Sequence, residues 1–332
     1  MKNSLRALTA AGAVALLALT GCAPAAPSDE TDAPAASETS GSWPRTITHD
    51  AGETEITEAP LTIVSTSPTL TGSLLAIDAP LTATAAAGVT PLTNDQGFFK
   101  QWASVADDRE VEVLYPSLEL DIEAVELAEP DLIIGSSIGA DATIEAYDQL
   151  SEIAPTIMID YGTHSWRDIL GQLGEATGLE ANAEATLADF DTWLAEQAES
   201  ITPVEGPVTA LSYNGADPSM IFEENSSQAE LLTSLGFEYA GAPEDLIAQK
   251  RSDASSVTPE NLSAALGDKS ALFMVSIERD GVAGVSSDPL LANAQAIADD
   301  TVVALGATSF RIDPYSARQL VDAVVEAFGS DK

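Results

Sequence analysis

The sequence predicts an α/β chain of two lobes, each with a central parallel sheet, joined by one long α-helix. Three observations carry that prediction. Short β-rich runs such as Asp131–Gly135 (DLIIG) alternate with helical stretches, the rhythm of βα units that build a parallel sheet. A proline-free stretch from Trp166 to Ser200 has helical apolar spacing. Beyond Pro203 the strand–helix rhythm starts again.

The first segment stands apart from the fold. Lys2 and Arg6 precede the apolar run Ala7–Leu19, which is too short to cross a bilayer comfortably. Leu19-Thr20-Gly21 then places small residues before Cys22, the single cysteine among 332 residues. This is the pattern of a lipoprotein signal peptide, residues 1–21, removed ahead of Cys22. A lone cysteine is otherwise a small buried hydrophobe. Cys22, however, is followed by APAAPSDETDAPAASETSGS, which has no large apolar side chain to bury. Residues 22–42 therefore read as a flexible tether, unable to offset their ordering entropy. More than one acyl chain on Cys22 makes a stable anchor, so the mature protein is expected outside the cytoplasm, held to the outer face of the cell membrane by lipid alone. An acylated Cys22 leaves no thiol for a disulfide.

Composition sets further bounds. The length suits about two domains, and a hydrophobic content of 45% is ample for buried cores. Asp and Glu number 53 against 13 Lys and Arg, for a net charge of −40. Such a surface repels nucleic acid and anionic headgroups. It also makes each cation conspicuous.

Order is expected from Trp43-Pro44-Arg45, followed by a hairpin over Thr46–Thr57 around Asp50-Ala51-Gly52-Glu53. Leu61–Ser65 is a strand, and Ser67-Pro68 opens a helix reading TLTGSLLAID. The Asp131–Gly135 strand precedes a helix over Ala142–Ser151, and Pro155–Asp160 is the next strand. Ile169, Leu170 and Leu173 mark one helix, and Leu187, Phe190 and Leu194 mark a second. Gly174 and Gly178 suggest the break, leaving about Asn182–Ser200 as the connecting helix. Strands follow at Val208–Tyr213, Ala271–Ser276 and Val302–Leu305, with helices at Gln228–Leu235 and Tyr315–Phe328. The expected organisation is a Rossmann-like lobe over 43–165, a connecting helical segment over 166–203 and a second such lobe over 204–332.

Catalytic machinery is poorly represented. Gly135-Ser136-Ser137-Ile138-Gly139 matches the G-x-S-x-G elbow, which would make Ser137 a nucleophile. A hydrolase needs a histidine base, and His49 and His164 are the two candidates. His164 follows Ser137 too closely for the usual order, so a tight strand-to-helix turn is the plainer reading. Two histidines and no free cysteine argue against a transition-metal site. No Asp/Asn spacing resembles a calcium loop, and no Walker or dinucleotide motif occurs, so neither metal nor cofactor is expected. The protein reads as a binder and not an enzyme.

Ligand chemistry is better represented. Gly97-Phe98-Phe99-Lys100-Gln101-Trp102 places Lys100 among three aromatics, suited to stacking on a flat anion; equally, Phe98 and Trp102 could belong to a core. Phe310-Arg311 follows the Val302–Leu305 strand, where α/β lobes bind ligands, although Arg311 could instead pair with Asp313. Lys250-Arg251 is an adjacent basic pair, and Phe222 lies in a polar stretch beyond the Val208–Tyr213 strand. Ser65-Thr66-Ser67-Pro68 stands at a helix start, where free N–H groups favour an anion.

Taken together, these stretches resemble the ferric-enterobactin-binding, helical-backbone class of substrate-binding proteins from bacterial iron-uptake ABC transporters. The resemblance runs from WPRTIT at Trp43 through IVSTSPTLTGSLLAIDAP at Ile63, DQGFFKQW at Asp95, YDQLSEIAPTI at Tyr147 and HSWRDIL at His164. It continues with NLSAAL at Asn261, DPLLA at Asp288 and ALGATSFRIDPYSA at Ala304. It implies two lobes bridged by a rigid helix, a shallow cleft and modest closure. Ferric catecholate siderophores are flat-faced trianions that relatives hold with basic and aromatic side chains. The resemblance implies ligand roles for Lys100 (where the family carries Arg), Arg251, Arg311 and Phe222 (where Trp is common), with Trp102, Tyr315 and Lys250 completing the candidate set. It implies permease docking through one acidic residue per lobe, for which Glu119 and Glu230 are the candidates. The expected partners are a ferric siderophore and the permease subunits of an ABC importer, met by a monomer. The alternative ligands are haem, a corrinoid or a hydroxamate siderophore, with Tyr161, Tyr213 or Tyr315 available to ligate haem.

Overall fold

The computed structural model describes residues 42–329. The signal peptide, Cys22 and the tether up to residue 41 lie outside the described residues. The chain enters the fold through the expected hairpin, β1 (Arg45–His49) against β2 (Gly52–Ile56). Ile47 and Ile56 turn inward to the first core, and Arg45 pairs with Glu180 at 2.6 Å.

The N-terminal lobe comprises β3 (Ile63–Ser65), α1 (Pro68–Ala76), β4 (Leu81–Thr84), α2 (Ala103–Asp108), β5 (Glu112–Val113), α3 (Ile122–Leu127), β6 (Leu132–Ser136), α4 (Tyr147–Ile153) and β7 (Thr156–Ile159). Its sheet is parallel throughout, in the order β5-β4-β3-β6-β7. Every residue of β3, β6 and β7 is buried, because helices cover both faces. The sequence shows these strands as unbroken apolar runs for that reason. The chain leaves β3 towards β4 and returns on the other side as β6. That reversal opens a crevice at the C-terminal ends of β3 and β6.

The helix α5 (Trp166–Thr177) stops at Gly178, whose left-handed φ of 76° suits glycine, at the predicted break. The long helix α6 (Glu180–Ser200) then spans roughly 30 Å at 1.5 Å per residue. Asn182 and Thr186 on its first half donate to the carbonyls of Ile77 and Ala76 in the N-terminal lobe, at 2.9 and 3.1 Å. Phe190 and Leu194 on its second half enter the core of the C-terminal lobe. One helix is thus anchored in both lobes.

The C-terminal lobe comprises β8 (Pro207–Ser212), β9 (Ser219–Phe222), α7 (Ser227–Ser234), β10 (Glu238–Tyr239), β11 (Gln249–Lys250), β12 (Ala254–Val257), α8 (Pro259–Leu266), β13 (Ala271–Met274), α9 (Arg279–Ser286), α10 (Gln295–Ala298), β14 (Val302–Ala304) and α11 (Pro314–Phe328). Strands β10, β8, β13 and β14 form a parallel set. Strands β9, β12 and β11 extend it antiparallel, so this second sheet is mixed. Strands β9 and β12 are four residues each and do not stand out from the polar stretches around them in the sequence.

The lobes also touch directly where α1 meets α11. Asp313 caps α11, accepting from the amides of Tyr315 and Ser316 at 2.9 and 2.8 Å. Gln101 of the other lobe donates to its second oxygen at 3.4 Å. A Cβ at Gly72 would overlap that carboxylate, so the close approach of α1 requires glycine there. Burial pushes the Asp313 carboxyl above its ordinary range, and the hydrogen bonds from Ser316, Gln101 and Tyr315 oppose the shift.

Candidate ligand-binding cleft

A cavity of about 260 Å³ lies between the two lobes. The N-terminal wall comes from the first turn of α1, which follows β3, and from the loops that follow β6 and β7, contributing Thr69, Gly139, Tyr161 and His164. The opposite wall comes from loops that follow β9, β11 and β14, contributing Asn225, Arg251, Phe310 and Arg311. Strand ends supply both walls because backbone groups there are free of the sheet and helices start beside them.

Tyr161 is the fixed point of the N-terminal wall. Its hydroxyl donates to Asp141 Oδ1 at 2.6 Å. The other Asp141 oxygen accepts from Ser67 Oγ at 2.5 Å and from the Thr69 amide at 3.4 Å. The start of α1, read from sequence as a place for an external anion, is therefore filled by the chain's own carboxylate. A Cβ at Gly139 (φ 85°) would collide with the Tyr161 hydroxyl. Burial, reinforced by Asp141, pushes the Tyr161 phenol well above its usual range, so the ring stays neutral.

Arg311 faces Tyr161 from the other lobe. Its guanidinium carbon lies 4.5 Å from the Tyr161 ring centroid and 5.7 Å from that of Phe310. Asp313 does not pair with it; that carboxylate is 3% exposed and turned onto α11 and Gln101. Arg311 appears in no ion pair among the described residues. The second cleft cation, Arg251, has only a distant contact with Asp253, at 3.9 Å. Its neighbour Lys250 points away, towards Glu244 at 3.0 Å, and is absent from the cleft wall. Alternation along the extended chain separates the two.

A second, apolar cavity of about 150 Å³ adjoins Arg311 and is walled by Phe99 and Phe310. Behind Phe99 stands Trp102, edge-on at 6.1 Å; behind Phe310 stands Phe222, edge-on at 6.0 Å. Trp102 and Phe222 are 0% and 1% exposed, so they back the walls and do not reach the cleft surface. Phe98 is equally buried, in the N-terminal core with Trp102. Lys100 is exposed but lines neither cavity. Tyr315 packs against the N-terminal core at the lobe junction, outside both cavities, and burial pushes its phenol up to about 12.

The remaining candidates divide clearly. After Gly135-Ser136-Ser137-Ile138-Gly139 the chain forms a loop and a single 3₁₀ turn at Ile144–Ala146 before α4, so there is no sharp strand-to-helix elbow at Ser137. His49 is bonded to Thr54 at 2.9 Å, and His164 lies 3.8 Å from Asp50. Glu119 is exposed. Glu230 accepts from Arg167 Nε at 2.7 Å, and Arg167 also holds Asp191, so Glu230 is tied into a link between α5, α6 and α7. Of the three tyrosines considered for haem, only Tyr161 lines the cleft; Tyr213 packs against the core beside α8.

Phe310 and the Tyr161–Asp141 pair are the features that sequence reasoning undervalued. The available signal for Tyr161 was its place directly after the PTIMID strand, at a C-terminal strand end. Nothing local announces that Asp141 lies beneath it.

A family model described as "Periplasmic binding protein" matches residues 63–308. The chain is 42% identical over 294 residues to the ferric enterobactin-binding periplasmic protein FepB of Escherichia coli O6:H1 (strain CFT073), covering 86% of this chain and 91% of FepB. It is 25% identical over 252 residues to the probable siderophore-binding lipoprotein YfiY of Bacillus subtilis (strain 168), covering 74% of this chain and 72% of YfiY. Among solved structures, holo-ViuP superposes with a TM-score of 0.80 at 34% identity, over 88% of this chain and 97% of ViuP.

Proposed function

The chain belongs to the periplasmic binding protein family, and from that premise we propose that it captures a ferric siderophore of the catecholate kind and delivers it to an ABC importer. The observation that carries the reading is Arg311, a cation in no ion pair among the described residues, held over the neutral Tyr161 ring inside the cleft. In a chain of net charge −40, a cation kept free of the many available carboxylates is positioned for an anion from outside. Arg251 supplies a second positive charge on the same wall. Thr69, Ser73, Asn225 and Gln228 supply neutral polar groups around them. A flat trianion can then exchange the cation–π contact for charge-assisted hydrogen bonds, which are the stronger interaction. The 42% identity to the ferric enterobactin-binding protein FepB supports the catecholate class.

Attachment through a lipid on Cys22 and permease docking through exposed Glu119 belong to the same reading. Glu230 would first have to leave Arg167 to serve as the second docking carboxylate. Tryptophan-fluorescence titration with a panel of ferric siderophores, each beside its iron-free form, tests the function. Saturable quenching by a ferric catecholate, with little from the iron-free ligand, is expected. A protein that responds to ferric hydroxamates alone, or to none, would refute the catecholate reading.

A further inference from the structure

We propose that the β11–β12 hairpin is a strap across the mouth of the cleft, fastened to the opposite lobe by the hydrogen bond from Ser252 to Gly162, which must part before cargo enters. Entry, and not retention, is the step the strap controls, and this rests on the functional reading above.

The arm is lightly built. Strand β11 is the last of its sheet and pairs with β12 alone, through Gln249–Ser256 and Lys250–Ser255. Residues 248–252 are all exposed, so little apolar burial holds this edge down. At the tip, the Arg251 amide donates to the Ala254 carbonyl at 2.8 Å. Asn225 Nδ2 donates to the Ser252 carbonyl at 2.9 Å and steadies the turn from its own lobe. Ser252 Oγ then crosses to the N-terminal lobe and donates to the Gly162 carbonyl at 2.7 Å.

The catch is stiffer than the arm. Gly162 lies in the loop after β7, where its amide donates to Asp160 Oδ1 at 2.8 Å and the Asp160 amide donates to Asp50 Oδ2 at 2.5 Å. Other ties between the lobes are more sheltered, from Gln101 to the buried Asp313 and from Arg167 to Glu230. The Ser252–Gly162 bond stands in solvent. Such a bond shifts an equilibrium by roughly two- to tenfold, enough to bias the cleft towards closure and weak enough to break readily.

Size makes the opening necessary. An apolar protein cavity of roughly 150 Å³ holds one benzene ring, so the three rings of a ferric tris-catecholate need roughly 450 Å³. The cleft measures about 260 Å³ and its apolar neighbour about 150 Å³. Both together fall short, so the lobes must separate to admit this ligand. Gly162 and Ser252 line the cleft from opposite lobes, and separation breaks their bond. The unfastened fraction of the protein then scales its apparent association with cargo.

The test is kinetic. Stopped-flow tryptophan fluorescence follows association and dissociation of ferric enterobactin with the intact wild type, Ser252→Ala and Ser252→Thr, and melting temperatures are recorded. Ser252→Ala should associate roughly two- to tenfold faster at unchanged melting temperature, because the bond is gone and the residue is exposed. Ser252→Thr keeps the hydroxyl and should stay near the wild-type rate. A side chain that served only as a ligand contact would behave differently, raising dissociation and leaving association alone. Association no faster in Ser252→Ala than in the wild type overturns the strap while leaving the functional reading intact. A wild type that binds no ferric catecholate overturns both.

Discussion

The Arg311 guanidinium carbon lies 4.5 Å from the centroid of the Tyr161 ring, across the cleft that separates the two lobes. The two residues come from corresponding places, each on the loop that follows a strand, β14 for Arg311 and β7 for Tyr161. The contact keeps a cation extended over open space. A cation–π pair contributes on the order of 0.5–2 kcal/mol, depending on how dry it is, so an anionic ligand can displace it.

Arg311→Ala should weaken ferric-catecholate binding at least tenfold, since removing one partner of a desolvated charge contact costs about 2–5 kcal/mol. The melting temperature should hold, because no carboxylate among the described residues depends on Arg311. Titration and thermal melts together check this. Lost stability with unchanged affinity would make Arg311 structural.

Arg251→Ala and Lys250→Ala should behave differently despite their adjacency. Arg251 lines the cleft, whereas Lys250 is satisfied by Glu244 on the outer side. Affinity should fall several-fold in the first variant and stay within about twofold in the second, given the small worth of exposed pairs. Equal losses would mean that the ligand senses overall charge and not the cleft wall.

Tyr161→Phe keeps the ring under Arg311 but removes the donor to Asp141. Leaving that buried oxygen short of a donor should cost about 1–3 kcal/mol of stability, with affinity held within about threefold. Gly139→Ala is harsher, since its methyl would occupy the place of the Tyr161 hydroxyl at a φ of 85°. Both stability and affinity should drop in that variant. Thermal melts with parallel titrations separate the two effects.

Below about pH 6.5, His49 should destabilise the fold. Burial holds its imidazole below the ordinary value, against the opposing pull of Asp50. Its Nδ1 accepts from the Ala51 and Met158 amides, at 3.2 and 3.3 Å, which protonation would prevent. The folded state therefore binds the proton less readily than the unfolded one, so stability present above the unfolded pKa is lost as pH falls towards the folded pKa. The measurable quantity is the melting temperature from pH 8 to 5 in wild type and His49→Gln. The gap between them should narrow on acidification; a constant gap would refute the linkage.

Cys22→Ser should move the protein from the detergent phase to the aqueous phase without changing its melting temperature, since it lies 20 residues ahead of the first described residue, 42. An unchanged membrane fraction in the mutant would exclude lipidation at Cys22.

The α/β class, the strand runs at Ile63, Leu132 and Thr156, the break at Gly178 and the long helix beyond it were legible in the amino-acid order alone. Those features are written locally, in apolar runs that both faces of a parallel sheet demand and in a glycine that a left-handed cap requires. Arg311 was legible as a cleft residue from its place after the Val302–Leu305 strand, whereas Arg251 came forward only through the family resemblance. Which aromatics face the cleft was settled by packing between distant segments. Phe99 and Phe310 do so while Trp102 and Phe222, the two named as ligand candidates from the sequence, stand behind them. The same packing set Asp141 beneath Tyr161 and turned Asp313 away from Arg311. Burial and pairing across 20 or more residues depend on how the lobes pack, and short-range periodicity carries no record of that packing.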